Sequence, residues 1–440
     1  MIRRTTSALA GTAALLLVTA CSGNSAEITE QAQTEPAAPQ VTITPADGTG
    51  KVKPDSKITV NVTDGTLQSV SVKAGKKEVA GELSADGTSW TSTWNLKPGA
   101  TYQVSATAAN KVQTTTAASS FSTLKPASTF GIADIIPMAG ETVGVGMPIT
   151  ITFDRDITQR KAVEQALTVS SEKPAVGAWY WTADNQVIFR TKNDRYWEPH
   201  QKVELTARLT GVRGAKNAYG TADRTHQFKI GNSQISTVDT KKKHITVVRN
   251  GKKVKRVPIS AGKGGRVVNG IDTYLTTSGT HLTMSRHRVE IMTSEWMGVD
   301  PKDKKNGGYR EVIPFAVRIS NSGEYVHSMA SRVWAMGRYN LSHGCVNAPP
   351  EFAQWYYNNF QRGDVVDVTG TKRRVEWNNG WSYYEMPWKQ WVKGGALDRE
   401  ITTGPGQEAP GAPAGQTPTA PAAPSTPAAP SAPATTPAAP

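Results

Sequence analysis

The sequence predicts a mainly β protein: two β-sandwiches, a third β unit carrying one packed helix, and a small tryptophan-rich cap. Three observations predict it. Short alternating apolar runs recur between turn residues, a single strong helical pattern stands out, and Trp377, Trp381, Trp388 and Trp391 crowd into one late stretch. The chain has 440 residues, more than one ordinary domain of about 100–200, so several compact units are expected.

The first sandwich is read over 41–125, where Ile58, Val60 and Val62, then Val70 and Val72, then Tyr102 and Val104 alternate between Asp64-Gly65, Asp86-Gly87 and Pro98-Gly99 turns. The second is read over 126–232, with strands at 149–153, 186–189 and 203–206 and a short helix at 160–167. Its Trp179, Trp181 and Trp197 are expected to pack the core. Its Gly144-Val145-Gly146-Met147-Pro148 entry and those tryptophans resemble the bacterial immunoglobulin-like domains found in front of some cell-wall enzymes.

The third unit, 233–370, opens on His244–Val248, an Asn250-Gly251 hairpin turn and a return strand at 254–257. The lysines at 241–243, 252, 253 and 255 are read as a solvated edge. Strands continue at 289–292, 315–319 and 365–368, and Pro349-Pro350 opens a helix carrying Phe352, Trp355, Tyr356 and Phe360 at helical spacing. Residues 371–400 form the cap, expected on the third unit, with an aromatic sugar platform as the alternative. Residues 401–440 are expected to be a disordered Ala/Pro-rich tail, since 11 of the 27 prolines lie between Pro405 and Pro440.

The N-terminus addresses the chain. Arg3 and Arg4 precede an apolar stretch ending at Val18, too short to span a bilayer and shaped as an export signal over 1–20. Val18-Thr19-Ala20-Cys21 resembles a lipobox, which implies lipidation of Cys21, a flexible tether over 21–40, and a place on the extracytoplasmic face of the plasma membrane within the cell envelope. Lys+Arg at 50 against Asp+Glu at 36 gives +14, a balance suited to nucleic acid, anionic lipid or an anionic wall matrix. Export removes nucleic acid as a partner.

With Cys21 lipidated, Cys345 is the one remaining thiol and has no internal disulfide partner. It sits in Ser342-His343-Gly344-Cys345-Val346-Asn347, ahead of the helix signalled by Pro349, where backbone N–H groups and the macrodipole are expected to favour a thiolate. Upstream, His327 ends an apolar strand in Tyr325-Val326-His327-Ser328. A strand-end imidazole facing a turn thiol is a nucleophile and base arrangement. The N–H groups of His343, Gly344 and Cys345 could stabilise an oxyanion, and His343 is read as structural. The rival readings are a zinc site of His327, His343 and Cys345 with His281 or His287, which are otherwise read as rim residues, and a non-catalytic wall-binding lipoprotein.

His327 followed by Ser342-His343-Gly344-Cys345 is similar to the signature of the L,D-transpeptidase catalytic domain, and the two preceding sandwiches resemble those of the actinobacterial members. The resemblance implies a peptidoglycan L,D-transpeptidase that forms 3→3 cross-links through a Cys345 thioester, using tetrapeptide stems as donor and acceptor, with no cofactor and no metal. It makes the Ser328 carbonyl the partner that orients His327. It also makes Tyr309, Ser322, Gly323, Asn347 and Met292 substrate contacts, while the Gly-, Lys- and Asp-rich composition of 292–310, with Trp296 at one end, suits a lid. A monomer anchored by its lipid is expected. An L,D-carboxypeptidase is the alternative enzyme.

Overall fold

The computed structural model describes residues 37–405, apart from residue 194. Cys21, the export signal, most of the tether and the tail beyond residue 405 lie outside the described residues. The first sandwich forms as predicted from two four-stranded sheets. Strand Thr101–Ala109 shows why: every second residue is buried, and Tyr102 stacks on Phe121 with ring centroids 5.2 Å apart.

The second sandwich places a five-stranded sheet against a four-stranded one around fully buried Trp179, Trp197, Phe153 and Phe189. Its helix is shorter than the sequence pattern, ending at Gln165 because Leu167 turns inward as the first residue of strand Leu167–Ser171. The first sandwich touches this unit through the Arg208 guanidinium, 4.2 Å from the centroid of the Trp94 ring, and the Tyr219 hydroxyl, 3.4 Å from Asp55.

The third unit holds two larger sheets and a two-stranded one at Val267–Val268 and Ile271–Asp272. Of the larger two, one runs Lys252–Pro258, His244–Arg249, Gln234–Asp239, Val365–Thr369, Gly279–Leu282 in spatial order, and the other Ser285–Thr293, Arg310–Arg318, Tyr325–Ser328, Val346–Ala348. The Asn-Gly turn appears at its expected place, with Asn250 and Gly251 both at positive φ. Helix Pro350–Asn359 buries Phe352, Ala353 and Tyr356 in a core shared by both larger sheets. That core fixes the strand pair Tyr325–Ser328 and Val346–Ala348, which lie parallel with His327 opposite Asn347.

Two expectations are corrected. The cap rests on the second sandwich as well as on the third unit. Fully buried Trp391 stacks on Tyr180 at 4.7 Å and donates to the Ala178 carbonyl at 2.9 Å, both on the second sandwich. Buried Arg190 of that sandwich sits 4.5 Å from the Trp391 ring centroid and donates to the Met386 carbonyl at 2.8 Å. The cap is tied to the third unit too: the Ser278 N–H donates to the Arg373 carbonyl at 2.7 Å, the Val375 N–H to the Ser278 carbonyl at 3.0 Å, and Glu385 accepts from the Thr280 N–H at 2.6 Å. The tail, in turn, does not begin at residue 401, since Ile401–Thr402 adds a strand beside Val176 and Gly177.

The glycines of the Gly144-Val145-Gly146 entry explain how the second sandwich seats on the third unit. Their N–H groups donate to the carbonyls of Arg362 and Gly363 at 2.8 and 2.9 Å, and a Cβ on Gly144 would fall 2.4 Å from the Asp364 backbone nitrogen. Leu282 and Val365 of the third unit thereby join the core of the second.

Candidate active site

A cavity of about 330 Å³ opens on the second sheet of the third unit. It gathers Cys345, His327, His343, Gly344, Tyr309, Ser322, Gly323, Asn347 and Met292, residues scattered over more than fifty positions of sequence. Ser328 stands behind it. Its carbonyl oxygen lies 2.9 Å from His327 Nδ1.

Cys345 immediately precedes strand Val346–Ala348 and is half-buried at the cavity wall. Its Sγ lies 3.6 Å from the Gly323 carbonyl oxygen and accepts from the Tyr325 N–H. Burial pushes this thiol up to about 12, with Glu324 and Glu311 adding in the same direction. The expected thiolate is therefore corrected. Three strand residues and Pro349 separate Cys345 from the helix, and burial together with neighbouring carboxylates favours the neutral thiol. Burial also pushes fully enclosed His327 down to about 4. The resting pair is a neutral thiol and a neutral imidazole.

The turn before Cys345 is tightly held. Ser342 Oγ donates to the Cys345 carbonyl at 2.6 Å and accepts from the Gly344 N–H at 3.1 Å. Thr276 Oγ1 donates to the Gly344 carbonyl at 2.7 Å. The Gly344 N–H is thus engaged within its own turn, which corrects its expected place among the oxyanion donors. The N–H groups of His343 and Cys345 have no acceptor among the described residues. The His343 ring lies between those of Tyr274 and Tyr309, at 4.5 and 4.9 Å, and is pushed down to about 4 by burial and by Lys263, Arg332 and Arg266. This arrangement suits a structural wall.

The remaining wall comes from longer range. Asn379 of the cap accepts from the Ser322 N–H and donates to its Oγ, each at 2.9 Å, and so holds the loop that presents Gly323. Asn347 is buried with both side-chain polar atoms unpaired while lining the cavity. Met292 and Tyr309 reach the cavity from either end of the 292–310 segment, which is built on 3₁₀ turns at Ser294–Met297 and Lys304–Asn306. Sequence reasoning missed Glu324, Glu311 and Asn379, none of which sits in a recognisable spacing with the cysteine motif.

The two further histidines of the zinc reading lie apart from this chemistry. His281 is fully buried rather than at a rim, its ring nitrogens facing the Thr277 and Ile319 carbonyls, and exposed His287 pairs with Glu290. Among the described residues no group of three or more His, Cys, Asp or Glu is placed to hold a metal ion.

The arrangement brings a thiol and an imidazole with one nitrogen pinned to the wall of one cavity, beside backbone N–H groups that have no acceptor among the described residues, a combination suited to acyl transfer. Residues 233–368 match the L,D-transpeptidase catalytic domain model, and residues 49–213 match the bacterial Ig domain model. L,D-transpeptidase 2 of Mycobacterium tuberculosis is 35% identical over 363 residues, covering 81% of this chain and 85% of that protein. The chain belongs to the L,D-transpeptidase family. L,D-transpeptidase 5 of the same species is 31% identical over 395 residues, covering 87% of this chain and 82% of that protein. A crystal structure of Mycobacterium tuberculosis L,D-transpeptidase 3 is also similar at 30% identity and a TM-score of 0.44, covering 55% of this chain and 99% of that one. This L,D-transpeptidase is an enzyme of a family whose known reaction is the formation of 3→3 peptidoglycan cross-links.

Proposed function

We propose that Cys345 is the nucleophile and His327 the base, acting on tetrapeptide stems. Cys345 attacks the carbonyl that joins diaminopimelate to the terminal D-Ala. Its proton passes to His327 Nε2 as the C–S bond forms, because neither group is charged at rest. His327 then protonates the departing D-Ala nitrogen, leaving a thioester and neutral imidazole. The amine of an acceptor stem's diaminopimelate attacks the thioester, His327 takes its proton, and that proton returns to the Cys345 sulfur as it leaves. The oxyanion of each tetrahedral intermediate is received by the N–H groups of His343 and Cys345. Tyr309, Ser322, Gly323, Asn347 and Met292 contact the stems. The parallel pairing of the His327 strand with the strand that follows Cys345 carries this reading, since it brings the two parts of the motif side by side.

Intact-protein mass measurement after mixing with a disaccharide-tetrapeptide tests the assignment. A covalent adduct equal to the substrate less one D-Ala is expected on the wild type and none on Cys345→Ala. The same adduct on the variant would reject Cys345.

The protein is further proposed to be a lipoprotein anchored through Cys21 on the extracytoplasmic face of the plasma membrane, working as a monomer. The Val18-Thr19-Ala20-Cys21 sequence supports this, and the two sandwiches would lift the active site toward the wall. Cys21→Ser should release the protein from the detergent fraction with its acylation rate unchanged. Wild-type protein found in the medium with an unmodified N-terminus would contradict the anchor.

A further inference from the structure

The backbone that cups the Cys345 sulfur is a tripeptide. Gly323 offers its carbonyl to Sγ at 3.6 Å and Tyr325 donates its N–H to the same atom. The residue between them is Glu324, which is buried at 4% exposure and has its carboxylate turned away from solvent. Both carboxylate oxygens reach the Thr277 hydroxyl, at 2.7 and 2.9 Å, and one also accepts from the Thr277 N–H at 2.7 Å. The main chain of Glu324 is held as well: its N–H donates to Ser320 Oγ at 3.0 Å and its carbonyl accepts from Ile319 at 2.9 Å. Among the described residues no basic side chain forms an ion pair with it.

The partner of Glu324 is one half of a dipeptide whose other half holds the opposite side of the nucleophile. Thr276 Oγ1 donates to the Gly344 carbonyl at 2.7 Å and accepts from the Gly262 N–H at 2.8 Å. Thr276 and Thr277 therefore grip the two chain segments that meet at Cys345, the turn that carries it and the strand end that cups its sulfur. His281 braces the dipeptide from below, with Nε2 3.0 Å from the Thr277 carbonyl.

Accepting Cys345 as the nucleophile, we infer that Glu324 is a positioning residue for acyl transfer: clamped to Thr277, it fixes the Gly323 carbonyl and Tyr325 N–H around Sγ and so aims the thiol. Burying an unpaired carboxylate is costly, and here several hydrogen bonds to one threonine offset that cost only in a single geometry. Burial is the main reason the thiol stays neutral; the Glu324 charge adds in that direction, opposing the Tyr325 N–H, which favours the thiolate. The charged and titratable groups facing Cys345 are Glu324, Tyr325 and His327 from the adjoining strand segment and Glu311, paired with Arg332 at 3.2 Å, from the next. His343 faces it from its own turn, and Glu290, Tyr309, Arg318 and Arg373 from the cavity wall.

Two variants of the full chain and two readouts test this. Glu324→Gln keeps the shape and removes the charge, whereas Thr277→Val removes the hydroxyl and keeps the charge. Each is assayed for acylation by the disaccharide-tetrapeptide and for alkylation of Cys345 by iodoacetamide, which needs a thiolate but no acyl-transfer geometry. Both variants are expected to lose about tenfold or more in acylation rate, as misaimed reacting groups do. Alkylation at pH below the thiol's midpoint is expected to be faster in Glu324→Gln and no faster in Thr277→Val. Wild-type acylation by Glu324→Gln overturns the inference, and so does a lowered melting temperature with both rates unchanged. If Glu324→Gln does not fold, wild-type acylation by Thr277→Val overturns it. A wild-type protein that is alkylated but never acylated overturns it together with the assignment of Cys345 as nucleophile.

Discussion

His327 Nδ1 lies 2.9 Å from the carbonyl oxygen of Ser328, its own neighbour on the strand. A carbonyl oxygen only accepts, so Nδ1 holds the proton and Nε2 is the basic nitrogen. No carboxylate is needed to set this tautomer. A backbone carbonyl orients the ring without adding a full negative charge that would raise its basicity, consistent with an imidazole held down at about 4 by burial.

The pH dependence of acylation follows from that value. His327 accepts a proton only when neutral, so activity should fall as pH drops through about 4 and show no limb near the ordinary histidine value of 6.5. Cys345, pushed up to about 12, stays a thiol across the neutral range. A plateau from weakly acidic to alkaline pH in stopped-flow acylation is the expected result. A limb centred near 6.5 would mean that a histidine with an ordinary pKa controls the rate.

A carbapenem should acylate Cys345, since its strained amide meets the same thiol, base and N–H donors as the stem. Mass spectrometry is expected to find one adduct on the wild type and none on Cys345→Ala. His327→Gln should slow adduct formation by about 10²–10⁴, the usual contribution of a positioned general base. An adduct that persists on Cys345→Ala would move the chemistry to another residue.

Asp364 supplies a stability test away from the chemistry. Its carboxyl is fully buried where the second sandwich meets the third unit, and burial raises it from 3.8 to about 8. The folded protein therefore holds this proton more tightly than the unfolded chain does. Its contribution is fully present below 3.8 and is lost as pH rises through about 8. Asp364→Asn, uncharged throughout, should flatten the decline in melting temperature over that window and be the more stable protein above it. A parallel decline in both proteins would show that other groups set the pH dependence.

Much of this was legible in the sequence because it rests on local signals. Alternation gave the strands of Thr101–Ala109, Asn250-Gly251 the hairpin, and Pro350 the helix start, each decided by neighbours a few residues away. The His327 and Cys345 pair could be read because a short motif encodes it. What stayed hidden depends on contacts distant in sequence. Trp391 reads equally well as a core residue of either neighbouring unit until Tyr180 and Arg190 are seen beneath it. Glu324 lies 47 positions from Thr277, and no spacing announces their contact. The neutral thiol escaped for the same reason, since burial and the nearby carboxylates are tertiary facts.

Product analysis from purified disaccharide-tetrapeptide is the most direct test of the central claim. A dimer lighter than two substrates by one D-Ala is expected, with fragmentation placing the new bond between two diaminopimelate residues, and no dimer with Cys345→Ala. Tripeptide and free D-Ala without dimer at high acceptor concentration would contradict it and identify an L,D-carboxypeptidase. No release of D-Ala at all would contradict it more deeply, leaving a wall-binding protein whose thiol is idle.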